Sequence, residues 1–271
     1  MRIGIILDWA NPNILEMIRL LSLRGVKLDL IYPEKQVIDL SKVTVENDLY
    51  LLKSGTDAAM SLAGTLHAIG AATLNPYPTV ALLRNKIIVM RVLQTAGVPT
   101  PQTFMANEIG DLVPLLDSGP LIIKPYRGSR GAGISIVTNP AELNNLPTDG
   151  PILAQSYLKP DGLDYKIFNI GGQLFGVKRV FPLRTYEDKI GEPFTLTPGL
   201  EEIAMRCGRA FGIDLFGMDV IFSNGAPYVV DVNKFGSYMG VPNAPCLLAD
   251  YIYASCERVL NGELLLSSIR N

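Results

Sequence analysis

Short apolar runs along this chain alternate with segments whose apolar positions recur at helical spacing. RIGIIL opens as a strand, and NPNILEMIRLLSLRG follows as a helix that stops at glycine. VKLDLIYP alternates apolar and polar residues and reads as a second strand. DLYLLKSG is a third strand, DAAMSLAGTLHAIGA a second helix, and ATLNPYP a short strand with its turn. That order predicts a small α/β domain built on a parallel sheet. TVALLRNKIIVMRVLQTAG reads as one helical segment carrying an internal basic step, Arg84-Asn85-Lys86. The proline-rich VPTPQTF then marks a domain boundary.

Beyond it lie mostly strands and short helices: PLIIKPY, GISIVT, AELNNL and GPILAQSYL. After Lys159-Pro160-Asp161-Gly162 the runs lengthen. DYKIFNIGGQLFGVKRVFP reads as a hairpin around Gly171-Gly172, and DLFGMDVIFSNGAPYVVDVNKFGSY as a second one turning at Asn224-Gly225. GLEEIAMRCGRAFG and PCLLADYIYASCERVL read as helices. These shifts divide the chain into residues 1–98, 99–160 and 161–271. The expected class is α/β followed by two β-rich α+β units.

Composition narrows the function classes. Hydrophobic residues at 48% and charged residues at 18% are the profile of a globular chain, not a disordered one. A net charge of −2 gives no global pull toward nucleic acid or an anionic membrane, so neither is expected as a partner. No apolar run reaches membrane-spanning length, and the N-terminus has no signal-peptide pattern. Cys207, Cys246 and Cys256 are odd in number and lack metal spacing, which favours a reduced, cytoplasmic setting. The single histidine, His67, lies on an amphipathic helix and reads as structural rather than catalytic, so triad chemistry is poorly supported.

Charged and small residues gather in three places. LIIKPYRGSRGAGISIV carries Lys124 at a strand end, then a loop of glycines with Arg127 and Arg130. Glycine lets backbone N–H groups approach an anion closely, and the loop adds cations. This suits a polyphosphate; an ordinary glycine-rich surface hairpin is the other reading. No helix follows the loop, so it matches neither the Walker loop nor the dinucleotide fingerprint. In MDVIF and VVDVN, Asp231 and Asn233 share a face by alternation, and a hairpin brings Asp219 beside them. Two carboxylates and an amide oxygen form a hard donor set suited to Mg²⁺ rather than zinc; solvent-facing polar residues are the alternative. LAQSYLKPDG links two units and offers backbone groups to an adenine edge, with Asp161 near a ribose hydroxyl. Lys166, Arg179 and Arg184 add cations on and beyond the next hairpin.

Together these features resemble the ATP-grasp superfamily over nearly the whole chain. The residues that carry the likeness are KSGTDAAMSLAGTLHAIGA, NPYPTVALLRNKIIVMRVLQTAGVPTPQT, LIIKPYRGSRGAGI and FGMDVIF…VVDVN. They look most like the branch of the ribosomal-protein glutamate ligase and the amino-group-carrier ligases. The resemblance implies ATP and Mg²⁺, with Mn²⁺ as a substitute, and a role for each matched position. Lys86 and Lys124 would hold nucleotide phosphates, and Gly128, Ser129, Arg130 and Gly131 belong to the loop that closes over them. Gln155, Tyr157 and Leu158 fall at the adenine hinge, with Asp161 toward the ribose. Asp219, Asp231 and Asn233 would hold the metal. Lys166 and Arg179 would act at the γ-phosphate and the developing acyl phosphate. Arg184, Ser237 and Tyr238 would border the acceptor. Asp8 to Pro12 lie at a strand's carboxyl end, where such sheets bind ligands; they either touch substrate or simply cap the first helix.

Three positions depart from that branch. The second metal position is usually glutamate, and here it is Asp231. The hinge usually reads QEF or similar, and here it is Gln155-Ser156-Tyr157. DYKIF and DVNKFGSYMGVP look more like the inositol-phosphate kinases of the same superfamily, although the histidine loop of those kinases is missing. The implied activity is therefore an ATP-dependent carboxylate–amine ligase acting through an acyl phosphate on an amino acid or peptide-like substrate. A kinase on a polyol hydroxyl is the alternative, and a nucleotide-binding regulator a third class. The partners implied are small-molecule or peptide-tail carboxylates and amines, with a homodimer common among relatives.

Overall fold

The computed structural model describes residues 1–128, 133–144, 146, 150–180, 188 and 190–265. Strands β1 (Arg2–Ile6), β2 (Lys27–Ile31), β3 (Leu49–Leu52) and β4 (Thr73–Leu74) form a parallel sheet in the order β2-β1-β3-β4. Ile3 and Ile5 of β1 are in register with Leu49 and Leu51 of β3 and face one side. There they join Ile14, Met17 and Leu21 of helix α1 (Pro12–Leu23). Ile6, Tyr50 and Leu52 face the other side, onto Met60, Ala63 and Leu66 of helix α2 (Asp57–Ala68). Strands buried on both faces need apolar residues at nearly every position, which is why RIGIIL and LYLL read as continuous runs. Asn11 caps α1 by accepting from the Ile14 N–H, and Thr56 caps α2 by accepting from Ala59.

The segment expected as one helix is two: α3 (Tyr77–Leu83) and α4 (Lys86–Thr95). Apolar periodicity runs straight through both, so it could not mark the break. Asn85 causes it. Its backbone is extended, at φ −101° and ψ 100°, and its side chain accepts from the Ile87 and Ile88 N–H groups. Asparagine competes for backbone donors this way and favours caps over helix interiors.

A second, antiparallel sheet runs β5-β8-β6-β7: β5 (Thr103–Ala106), β6 (Leu121–Pro125), β7 (Ser135–Val137) and β8 (Ile152–Ser156). A 3₁₀ stretch, Ile109–Ser118, and the short helix α5 (Pro140–Leu143) cover it. β5 begins at Thr103, within the segment that the sequence marked only as a connection. Lys86 at the start of α4 donates its backbone N–H to the Tyr126 carbonyl at 2.9 Å, tying α4 to the end of β6.

The third sheet is antiparallel in the order β11-β10-β9-β12-β13: β9 (Leu163–Ile170), β10 (Gln173–Val180), β11 (Glu192–Phe194), β12 (Leu215–Ser223) and β13 (Ala226–Asn233). Both expected hairpins form. Gly171 and Gly172 turn at φ 61° and 88°, and Asn224 and Gly225 at φ 50° and 77°. Two successive positive φ values suit a tight hairpin's twist. One face packs Ile167, Met218, Val220 and Val232 against helix α6 (Pro198–Phe211) and α4. On the other face, Phe168, Ile170 and Leu215 pack under helix α7 (Ala244–Leu260) and join the parallel sheet's core. Farther along, that second face carries a charged row beside the buried Val177. Among the described residues, no helix is long and apolar enough to cross a membrane.

Asn85 sets where Lys86 starts its helix, so the cap links stability to the site. Asn85→Ala is expected to lower unfolding free energy by about 1 kcal/mol, and Asn85→Asp to retain most of it. Urea denaturation of the three proteins checks this.

Candidate functional site

The charged half of the third sheet is ordered by strand register. Arg179 of β10 sits opposite Asp164 of β9. Two residues along β9, Lys166 sits opposite Asp219 of β12, and Asp219 sits opposite Asp231 of β13. Directly opposed residues share a face, so Asp219, Asp231 and, two residues on, Asn233 project together. A register shift follows Asp219, and bulges of this kind re-aim neighbouring side chains. The face thus alternates cation and carboxylate across three strands and ends in a pair of carboxylates.

Those carboxylates are met by lysines. Lys86 Nζ donates to both Asp231 oxygens at 2.7 Å each, and Lys166 Nζ bonds Asp219 Oδ1. Lys166 also lies 4.0 Å from Asp164 Oδ2. Burial raises the Asp231 and Asp164 carboxyls above the usual carboxylate range, against the pull of Lys86 and Lys166 respectively.

Lys124 approaches from the second sheet. It is 9% exposed and donates to Gln155 Oε1 at 2.8 Å. Gln155, fully buried, donates in turn to Thr103 Oγ1 at 2.9 Å. Burial pushes Lys124 down to about 8; nearby Lys86 adds to this, and Asp231 and Asp219 oppose it. The sequence placed Gln155 at an adenine hinge, and in the structure its side chain holds Lys124. Thr103 was not singled out from the sequence, because its role depends on β5 pairing with β8.

Arg179 is a buried cation with donors left over. It is 7% exposed, and its Nε and Nη2 have no hydrogen-bond partner among the described residues. Burial lowers its pKa, with Asp164 and Asp219 opposing that. Buried donors are normally paired, so two guanidinium nitrogens without partners beside this row of lysines mark a place for an anion.

The other expected positions are spread around this centre. Tyr157 donates its N–H to the Pro120 carbonyl at 2.9 Å, and Leu158 is half-buried beside it. Asp161 is exposed and accepts from the Leu163 N–H at 3.1 Å and the Tyr165 hydroxyl at 3.0 Å. Gly128 is exposed. Ser129, Arg130, Gly131 and Arg184 lie outside the described residues. Ser237 presents its carbonyl to Asn11 and Asn13. Tyr238, expected at the acceptor's border, is instead fully buried: its ring packs against Phe168 and Phe235 in the core that joins the parallel sheet to the third.

Sequence reading also missed Lys234. It follows Asn233, and its ammonium donates to the Ser54 carbonyl at the end of β3. Burial, aided by Arg84 and Lys53, pushes it down to about 7. Gly55 makes room for it, since a Cβ there would lie 3.2 Å from Nζ.

The donor set fits a hard divalent cation: two carboxylates in register and an amide on the same face. Among the described residues no three His, Cys, Asp or Glu gather at one point. A metal held here would therefore need further oxygen ligands, such as phosphate.

Residues 83–241 match the family described as the RimK-like ATP-grasp domain. The chain belongs to that family. A probable alpha-L-glutamate ligase of Shewanella sp. strain ANA-3 is 26% identical over 188 residues, which cover 64% of this chain and 62% of that protein. The match thus spans less than two thirds of the curated relative. The RimK domain ATP-grasp protein of Sphaerobacter thermophilus DSM 20745 has a similar fold, with TM-score 0.74 and 19% identity over 93% of this chain and all of that one. So does the ATP-grasp ligase PsnB, solved with a minimal precursor, Mg and ADP, at TM-score 0.68 and 16% identity over 94% of this chain and 98% of that one. The ATP-grasp fold expected from the sequence is the fold observed.

Lys124 makes stability depend on pH. Its folded value of about 8 lies below the ordinary 10.5, so between the two the unfolded chain binds more protons. Its contribution to stability therefore rises with pH through that window. The expected slope is at most about 1.4 kcal/mol per pH unit. Lys124→Met removes this component. Urea unfolding of both proteins between pH 8 and 10 checks it.

Proposed function

We propose that this RimK-like ATP-grasp protein is an ATP- and Mg²⁺-dependent carboxylate–amine ligase acting on an amino acid or peptide-like substrate. Nucleotide would lie between residues 99–160 and 161–271. The observation that carries this reading is Arg179, a buried guanidinium whose Nε and Nη2 have no partner among the described residues, at the edge of the lysine and carboxylate row. The names of the glutamate ligase and of PsnB, the latter solved with its precursor, support an amino-acid or peptide-like acceptor. Free thiols at Cys207, Cys246 and Cys256 support a cytoplasmic setting.

Lys124, preset by Gln155, and Lys86 bind the phosphates of the nucleotide. Asp219, Asp231 and Asn233 would hold the magnesium ion. The ion would supply charge neutralisation along the polyphosphate. Lys166 steadies the oxygens of the γ-phosphoryl group as it passes to the substrate carboxylate. Arg179 then holds the acyl phosphate so that an amine attacks the carbonyl carbon and phosphate leaves. Because its guanidinium is already desolvated and fixed, little reorganisation is needed at that moment.

The test is ³¹P NMR of the protein with ATP, Mg²⁺ and a mixed amino-acid pool. Inorganic phosphate should appear only when amino acids are present, and single omissions identify the acceptor. A new phosphomonoester formed from an inositol pool, without free phosphate, would make the protein a kinase. Arg179→Met should lower kcat by about 10²- to 10³-fold, with a smaller change in KM for ATP.

A further inference from the structure

The two carboxylates suited to a metal are already taken by the protein's own cations. Lys86 spans both oxygens of Asp231, and Lys166 bonds Asp219. These pairs are sheltered: the side chains of Lys86 and Asp231 are 17% and 24% exposed, and those of Lys166 and Asp219 are 19% and 23%. Sheltered pairs are little screened by salt. An ammonium bound across both oxygens occupies the chelating position between them, and it repels a second cation.

The three lysines are anchored differently. Lys124 is held by Gln155 and forms no hydrogen bond or ion pair with a carboxylate among the described residues. Apart from the Asp231 pair, Lys86 is anchored at its backbone, through the Tyr126 carbonyl and the Asn85 cap. Once that pair is broken, its flexible four-carbon stem can reorient while the start of α4 stays put. A polyphosphate arriving at Lys124 offers Lys86 a second, more highly charged acceptor.

We propose that Lys86 and Lys166 are internal counter-ions that close the metal site, so that metal binds well only once nucleotide phosphate draws them off. This rests on the nucleotide and metal roles proposed above. Binding is then coupled in both directions: nucleotide strengthens metal binding, and metal strengthens nucleotide binding by the same factor. A permanent structural clamp would behave oppositely, because losing Lys86 would damage the site rather than open it.

The test uses the full chain and Mn²⁺, followed by the EPR signal of the free ion at pH 7.5 without nucleotide. Wild type should bind weakly, and Lys86→Met should bind about tenfold more tightly, within the ordinary range of such coupling. Adding Asp231→Asn to Lys86→Met should abolish the gain. Mn²⁺ should raise the unfolding temperature of Lys86→Met more than that of wild type. ADP should raise wild-type Mn²⁺ affinity by about tenfold and that of Lys86→Met by less. Equal or weaker Mn²⁺ binding by Lys86→Met overturns the proposal, as does no binding by either protein. If circular dichroism shows Lys86→Met unfolded, Lys166→Met carries the same comparison through Asp219. Failure of phosphate release in the NMR assay would sink the ligase reading and leave these metal titrations readable on their own.

Discussion

Asp219 and Asp231 stand directly opposite each other on neighbouring strands. Like charges in that position repel, and partial burial worsens the cost. The protein meets it with cations brought from two directions. Lys166 comes from the next strand of the same sheet, and Lys86 from the first turn of α4, whose body packs on the sheet's other face. The break at Asn85, the bond from Lys86 to Tyr126 and the packing of Val89, Met90 and Leu93 all serve that placement. Placing two carboxylates side by side thus dictates where α4 begins.

The same face of the third sheet does two jobs along its length. At one end Phe168, Ile170 and Leu215 are core, covered by α7. At the other end the pattern changes to Arg179, Asp164, Lys166, Asp219 and Asp231, and a register shift follows Asp219. The apolar half supplies rigidity, and the charged half spends some of it on partly satisfied groups. Such local sacrifices of stability are common where a protein must receive a charged ligand.

Side chain to backbone bonds join the parallel sheet to the third one. Asn75 donates to the Leu215 carbonyl at 2.7 Å and to the Lys234 carbonyl, and Asn13 reaches the Tyr238 carbonyl at 2.9 Å. Lys234 returns a bond to Ser54. With Tyr238 buried between them, these contacts fix the carboxyl ends of β1 and β3 close to the end of β13. The opening of the parallel sheet and the carboxylate pair therefore face a common region.

Local pattern was enough for most elements of the fold. Period-two alternation, tight Gly-Gly and Asn-Gly turns and helical spacing each involve residues near one another in the chain, so the sequence determined the strands, hairpins and helices they mark. The likeness to ATP-grasp proteins rested on motifs of the same local kind, and Lys86, Lys124, Asp219 and Asp231 were singled out through them; the structure places their side chains together. The helix break at Asn85 was missed because apolar periodicity is blind to a cap. Other features belong to the tertiary structure alone. Gln155 as the holder of Lys124, Asp164 facing Arg179, Lys234 reaching Ser54 and the burial of Tyr238 all depend on partners many residues away. Strand register and sheet packing choose those partners, and no stretch of sequence contains both sides of the contact.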